Sequence, residues 1–156
     1  MDLHRVLVLI HVSAMIGLFI TLTIEGVALR FLRRAATYEQ AREWTAAWTL
    51  LPIIGAPSIV LSLASGIYLA TLLGVWQFNW ARVAVPTLVI VAVAGGVVGP
   101  RRNQIRTALG TNSGPLSEVL RHQIRHPSLP TSWRIRATLL AGLVIDMVLK
   151  PDEAIG

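Results

Sequence analysis

Between Glu43 and Arg82 the chain carries no charged side chain, and residues 50–73 within that stretch are almost wholly apolar. A hydrocarbon layer about 30 Å thick is crossed by roughly 20 apolar residues in a helix rising 1.5 Å per residue. This run is therefore long enough to span a bilayer, and it lacks the polar face that a helix on a soluble core would present. Trp44 and Trp48 precede the run and Trp76 and Trp80 follow it, the placement expected of aromatic belts at two membrane interfaces.

Three further segments follow the same pattern. Residues 6–29 are interrupted only by His11 and Glu25 among ionisable groups. Residues 80–98 form a third run, closed by Gly99, Pro100 and the pair Arg101-Arg102, and residues 133–149 form a fourth that contains Arg134, Arg136 and Asp146. The first run exceeds the 7–15-residue core of a cleaved signal peptide and is expected to remain as a membrane helix. The expected fold is all-α: a polytopic membrane protein, one four-transmembrane-helix bundle over residues 1–156, with helices at about 5–30, 45–74, 80–99 and 133–150. Composition agrees. The chain is 54% hydrophobic and 14% charged, against roughly 45–50% and about 25% in soluble domains.

The formal charge of +6 would suggest nucleic acid if it covered a folded surface, but the basic residues cluster between apolar runs, and no nucleic-acid partner is expected. With four crossings, Arg5, Arg82 and Lys150 fall on one side, and the other eleven basic residues (among them Arg30, Arg42, Arg101, Arg102, Arg106, Arg125 and Arg136) fall on the other. The positive-inside rule makes the arginine-rich side cytoplasmic and turns both termini outward from the cell membrane. The cytoplasmic loop, 100–132, holds a stretch near 115–125 with Leu116, Val119, Leu120 and Ile124 at helical spacing. Gly114-Pro115 reads as its start, with proline at the first helical position. Either an amphipathic helix on the membrane surface or a helix covering the bundle's end fits this pattern.

Small residues mark helix-packing faces. Ser58, Ser62, Gly66, Ala70 and Gly74 recur every fourth residue in the second run, and Ala92, Gly95, Gly96 and Gly99 form overlapping pairs in the third. Such stripes let helix backbones approach closely in lipid, so the second and third helices are expected to pair as a tight antiparallel hairpin. A homodimer seam on the same stripe is the alternative.

Ionisable groups within a membrane are costly and mark candidate sites. His11 and Glu25 lie fourteen residues apart on one face of the first helix, with Leu18 between them. Asp146 is about one turn from the outer end of the fourth, at the depth of His11, and a His11–Asp146 contact would satisfy both. Glu25 has Arg136, Arg134 or Arg30 within reach. These contacts either lock the bundle or form a proton or substrate path. Met15, four residues after His11, and Met147 supply soft donors that suit Cu(I), and haem is the other cofactor to weigh. With no cysteine in the chain, thiolate sites are excluded. No hydrolase triad, phosphate loop or zinc spacing occurs, so no catalytic residue is assigned.

The stretches "LVLIHVSAMIG", "PSIVLSLASGIYLATLLGVW", "GPRRNQI" and "DMVLKPD" resemble those of a family of small four-helix bacterial integral membrane proteins of unknown function. The resemblance touches all four runs and implies a four-helix bundle in the bacterial inner membrane. A more distant similarity is to the copper-resistance membrane component and the four-helix haem-dependent protoporphyrinogen oxidase, from which only the early-helix His11 carries over. Three functions stand open. The first is a non-catalytic structural or partner subunit acting with the lipid bilayer, a homo-oligomer or another membrane protein. The second is a small proton-coupled carrier or permeation unit using His11, Glu25 and Asp146. The third is a haem- or copper-binding redox protein.

Overall fold

The structure, a computed structural model, describes residues 2–149; Lys150 and the expected end of the fourth helix at residue 150 lie outside the described residues. Among the described residues seven α-helices follow one another: α1 (Leu3–Leu32), α2 (Tyr38–Ala46), α3 (Leu50–Leu72), α4 (Asn79–Val97), α5 (Gly99–Leu109), α6 (Glu118–Arg125) and α7 (Ser128–Leu149). No strand occurs among the described residues, and a single bridge joins Thr37 to Pro115.

Three helical stretches are long and apolar enough to cross a membrane: Leu3–Leu32, Tyr38–Leu72 and Asn79–Leu109. The last two include α2 with α3 and α4 with α5. Helix α7 lies outside this group because Arg134, Arg136 and Asp146 interrupt its 22 residues. Gly74, at φ +67°, ends α3 in the left-handed conformation that glycine adopts without steric cost.

The local capping differs from expectation at two places. Gly99-Pro100 follows the end of α4 at Val97, as expected, but it also opens a new helix, α5. Pro100 sits at the start of α5, where a missing N–H costs nothing, and the helix resumes through Arg101 and Arg102. Gly114-Pro115 does not start α6. Ser117 does, its side chain accepting from the Leu120 N–H at 3.3 Å. Gly114, at φ +88°, and Pro115 instead form the bridge to the α1–α2 turn, where the Tyr38 N–H donates to Gly114 O at 2.9 Å and the Leu116 N–H to Ala36 O at 3.0 Å.

The molecule divides into a long-helix bundle and a compact cap. In the bundle α1 packs along α3 and α4 along α7, with α1 also touching α7. The cap joins α2, α5 and α6 to the C-terminal end of α1 and the first turn of α7. Its core holds Leu32, Ile105, Leu109, Leu120, Ile124 and Leu129, all nearly inaccessible. Helix α6 therefore covers the bundle's end and keeps Arg121, His122 and Arg125 on its outer side, the second of the two sequence readings.

The expected tight pairing of the second and third helices is not formed, because contact between α3 and α4 is slight. The small residues of α3 are taken up by α1 instead. Gly17 lies against Ser58, Gly55 against Thr21, and a Cβ at Gly66 would stand 3.0 Å from His11 Cε1. On α4, Gly95 makes room for the Arg136 side chain and Gly96 has open space beside it, as does Gly99 at the start of α5. The two small-residue faces serve different neighbours, and a cleft remains between α3 and α4.

Candidate functional site

The most deeply buried charged group among the described residues is the Glu25 carboxylate, 2% exposed on α1. Two guanidiniums converge on its Oε1. Arg136 of α7 donates from Nη2 at 2.6 Å, and Arg102 of α5 donates from Nη2. Arg136 was among the three expected partners of Glu25; Arg102 was not, because the sequence reading ended the helix before it. Arg136 is held in turn by its own helix, with Nε donating to Ser132 O at 3.3 Å. The Ser132 hydroxyl donates to Ala94 O at 2.7 Å and fastens α7 to α4. At the next residue, the Trp133 indole N–H donates to Leu22 O at 2.8 Å, and its ring lies against Gly26. Two helices, α5 and α7, are thus tied to α1 or α4 around one carboxylate, and the group carries one positive charge in excess.

A cleft of about 510 Å³ opens beside this group. Its walls are the small residues Gly55, Ala56, Ala92, Gly95, Gly96 and Gly99, and its polar end is formed by Glu25, Arg102, Arg106 and Arg136. Trp48 lines it too. This tryptophan was expected at a membrane interface, yet it is 3% exposed, and its indole N–H has no hydrogen-bond partner. The buried Nε of Arg102 has none either.

His11 occupies a separate place. Its Nδ1 lies 3.1 Å from both Ser62 O and Ser65 Oγ. A carbonyl can only accept, so Nδ1 carries the proton and Nε2 is left as an acceptor. The Ser62 hydroxyl donates to Met15 Sδ at 3.1 Å. The expected His11–Asp146 contact is therefore replaced. Burial against α3 gives the imidazole its partners there, while Asp146 Oδ2 is buried without a hydrogen-bond partner. Equal depth on two helices does not fix their azimuth, and this is where the expectation failed. His11 and Met147 line a second cavity of about 200 Å³ together with Gly66, Ala70, Trp76 and Trp80, whereas Met15 is turned to Ser62. Among the described residues no group of three or more His, Asp or Glu side chains could hold a metal ion.

Leu18, Leu22, Leu88, Val91, Leu140 and Leu143 form the apolar layer between the two cavities. Fourteen residues along α1 separate His11 from Glu25, about 21 Å of helix rise. Polar groups therefore sit at two levels with packed hydrocarbon between them. Arg102 could have been found from sequence by noting that Pro100 suits a helix start and that Ile105 and Leu109 then repeat at four-residue spacing on the new helix. No protein-family model, curated protein or solved structure matches the chain.

Proposed function

We infer that the chain is a non-catalytic subunit of the bacterial cytoplasmic membrane, in which α1, α3, α4 and α7 form a four-helix transmembrane bundle and the cap faces the cytoplasm. Several observations support this reading. Three helical stretches have the length and apolarity of membrane spans, and the exposed faces of α1, α3 and α4 carry large apolar side chains such as Val12, Ile16, Ile53, Val60 and Val93. In α7 the Arg136 charge is met by Glu25, which removes much of the cost of placing that helix in lipid. The cap carries most of the basic residues, as the cytoplasmic side does under the positive-inside rule. The resemblance to small four-helix bacterial membrane proteins points the same way.

The observation that carries the non-catalytic reading is the use made of the buried charges. Glu25 and its two arginines tie α1, α5 and α7 together, and an apolar layer separates them from His11. Groups so placed lock helices and offer no continuous proton path. Proteoliposomes containing the chain are expected to pass protons no faster than empty vesicles. Flux that disappears on combining His11→Ala, Glu25→Gln and Asp146→Asn would replace this reading with a permeation unit, the alternative favoured by the two cavities standing on either side of one layer. A preparation from cells supplied with haem and copper is expected to be colourless and free of metal.

Topology is testable because the chain has no cysteine of its own. With Gln77→Cys, an impermeant maleimide is expected to label intact spheroplasts. With Ser113→Cys, labelling is expected only after permeabilisation. The reverse pattern would invert the bundle.

A further inference from the structure

The cleft between α3 and α4 has an unusual inventory. Its walls combine small residues, Gly55, Ala56, Ala92, Gly95 and Gly96, with large apolar ones such as Leu22, Ile59 and Leu140, so the space is apolar. Its inner end presents three guanidiniums, Arg102, Arg106 and Arg136, against one carboxylate, Glu25. Glu25 is shared by Arg102 and Arg136, and the exposed Arg106 guanidinium has no anionic partner among the described residues. The site is thus rich in donors and positive charge at one end and apolar along its length. An amphiphile with a negatively charged, acceptor-rich head has the complementary form.

Resting on the membrane reading given above, we propose that this cleft binds one anionic phospholipid of the cytoplasmic leaflet. An acyl chain lies between α3 and α4 along Gly95 and Gly96. The phosphate lies at the Arg102–Arg106 end, where the Arg106 guanidinium meets its oxygens. Glu25 keeps Arg102 and Arg136 in place and holds the formal charge of this end to +2, of which one phosphate diester neutralises half. The absence of close α3–α4 contact then has a reason. The faces are held apart by a lipid chain, and Gly96 and Gly99, which have open space where a side chain would stand, keep that path clear.

Native mass spectrometry tests this on the full chain, purified in a neutral detergent and offered equal amounts of phosphatidylglycerol and phosphatidylcholine. The chain is expected to retain one phosphatidylglycerol with a preference of about fivefold, the size of one basic residue's contribution at an anionic surface. Gly96→Phe fills the cleft where a Cβ meets no neighbouring atom, and Arg106→Gln removes only the exposed guanidinium charge. Both are expected to lose the bound lipid while circular dichroism and the melting temperature stay close to the parent values. Equal retention of both lipids, or unchanged phosphatidylglycerol in Gly96→Phe, would overturn the proposal. So would displacement of the lipid by millimolar inorganic phosphate, which would make the site one for a free anion. A dimer that Gly96→Phe dissociates would assign the cleft to a second copy instead. Resistance to carbonate extraction is scored on the same cells. A chain released by carbonate fails the membrane reading itself, while a membrane-resident chain that keeps no lipid fails only this one.

Discussion

The cap and the bundle are built from the same chain on opposite principles. The cap is held by aliphatic side chains interlocking out of water, with Leu32, Ile105, Leu109, Leu120, Ile124 and Leu129 at its centre. The bundle leaves many of its largest apolar side chains exposed, Ile53, Val60, Val97 and Val148 among them. What joins its helices is small-residue contact, as between Gly17 and Ser58, and a few polar ties, Glu25 to its arginines, His11 to Ser62 and Trp133 to Leu22. On the membrane reading proposed above, the difference follows from solvent. Burying a leucine removes it from water in the cap, and little is gained when the alternative is a lipid chain, so van der Waals fit and hydrogen bonds decide the bundle.

This contrast can be broken by substitution. The largest effect is expected from Glu25→Ala, which leaves two arginines facing each other without their anion; removal of one partner from a buried ion pair costs about 3–5 kcal/mol. The chain is expected to lose its monodisperse state in detergent, and survival with an unchanged melting temperature would show that the ion group is not a lock. Leu120→Ala empties a buried site in the cap, for which about 2–5 kcal/mol is usual. Proteolysis within residues 110–117 is expected to accelerate while the bundle stays intact. Gly26→Ala brings a Cβ within 2.7 Å of the Trp133 ring, and such overpacking costs about 1–3 kcal/mol. Its effect is expected in the membrane part, read as loss of the Trp133 fluorescence environment. The smallest change is Ser117→Ala, which removes the α6 cap at about 1 kcal/mol and is expected to raise amide exchange in α6 alone.

The helices of the bundle were legible where charge is absent. The uncharged run after Glu43 defines α3, and a lone carboxylate in residues 6–29 marks Glu25 as a group needing a partner. The cap was less legible because its helices are short and amphipathic and its turns carry glycine and proline, which both end and begin helices. Reading Gly99-Pro100 as a stop hid α5, and with it Arg102, which meets Glu25 across 77 positions of sequence. Ser58 and Gly66 lie against Gly17 and His11 of α1, and a stripe of small residues does not say which helix lies on it. Trp48 shows the same limit. Position beside an apolar run suggested an interface belt, and only the fold of α2 across α5 places it indoors.

Helix α5 belongs to both regions. Ile105 and Leu109 sit in the cap core, and three residues before Ile105 the same helix delivers Arg102 to Glu25. Separating the cap from the bundle therefore withdraws a counter-charge from a carboxylate surrounded by hydrocarbon. The two regions are thermodynamically linked, and heat or denaturant is expected to melt them in a single cooperative transition even though the aliphatic core of one and the small-residue contacts of the other differ in kind.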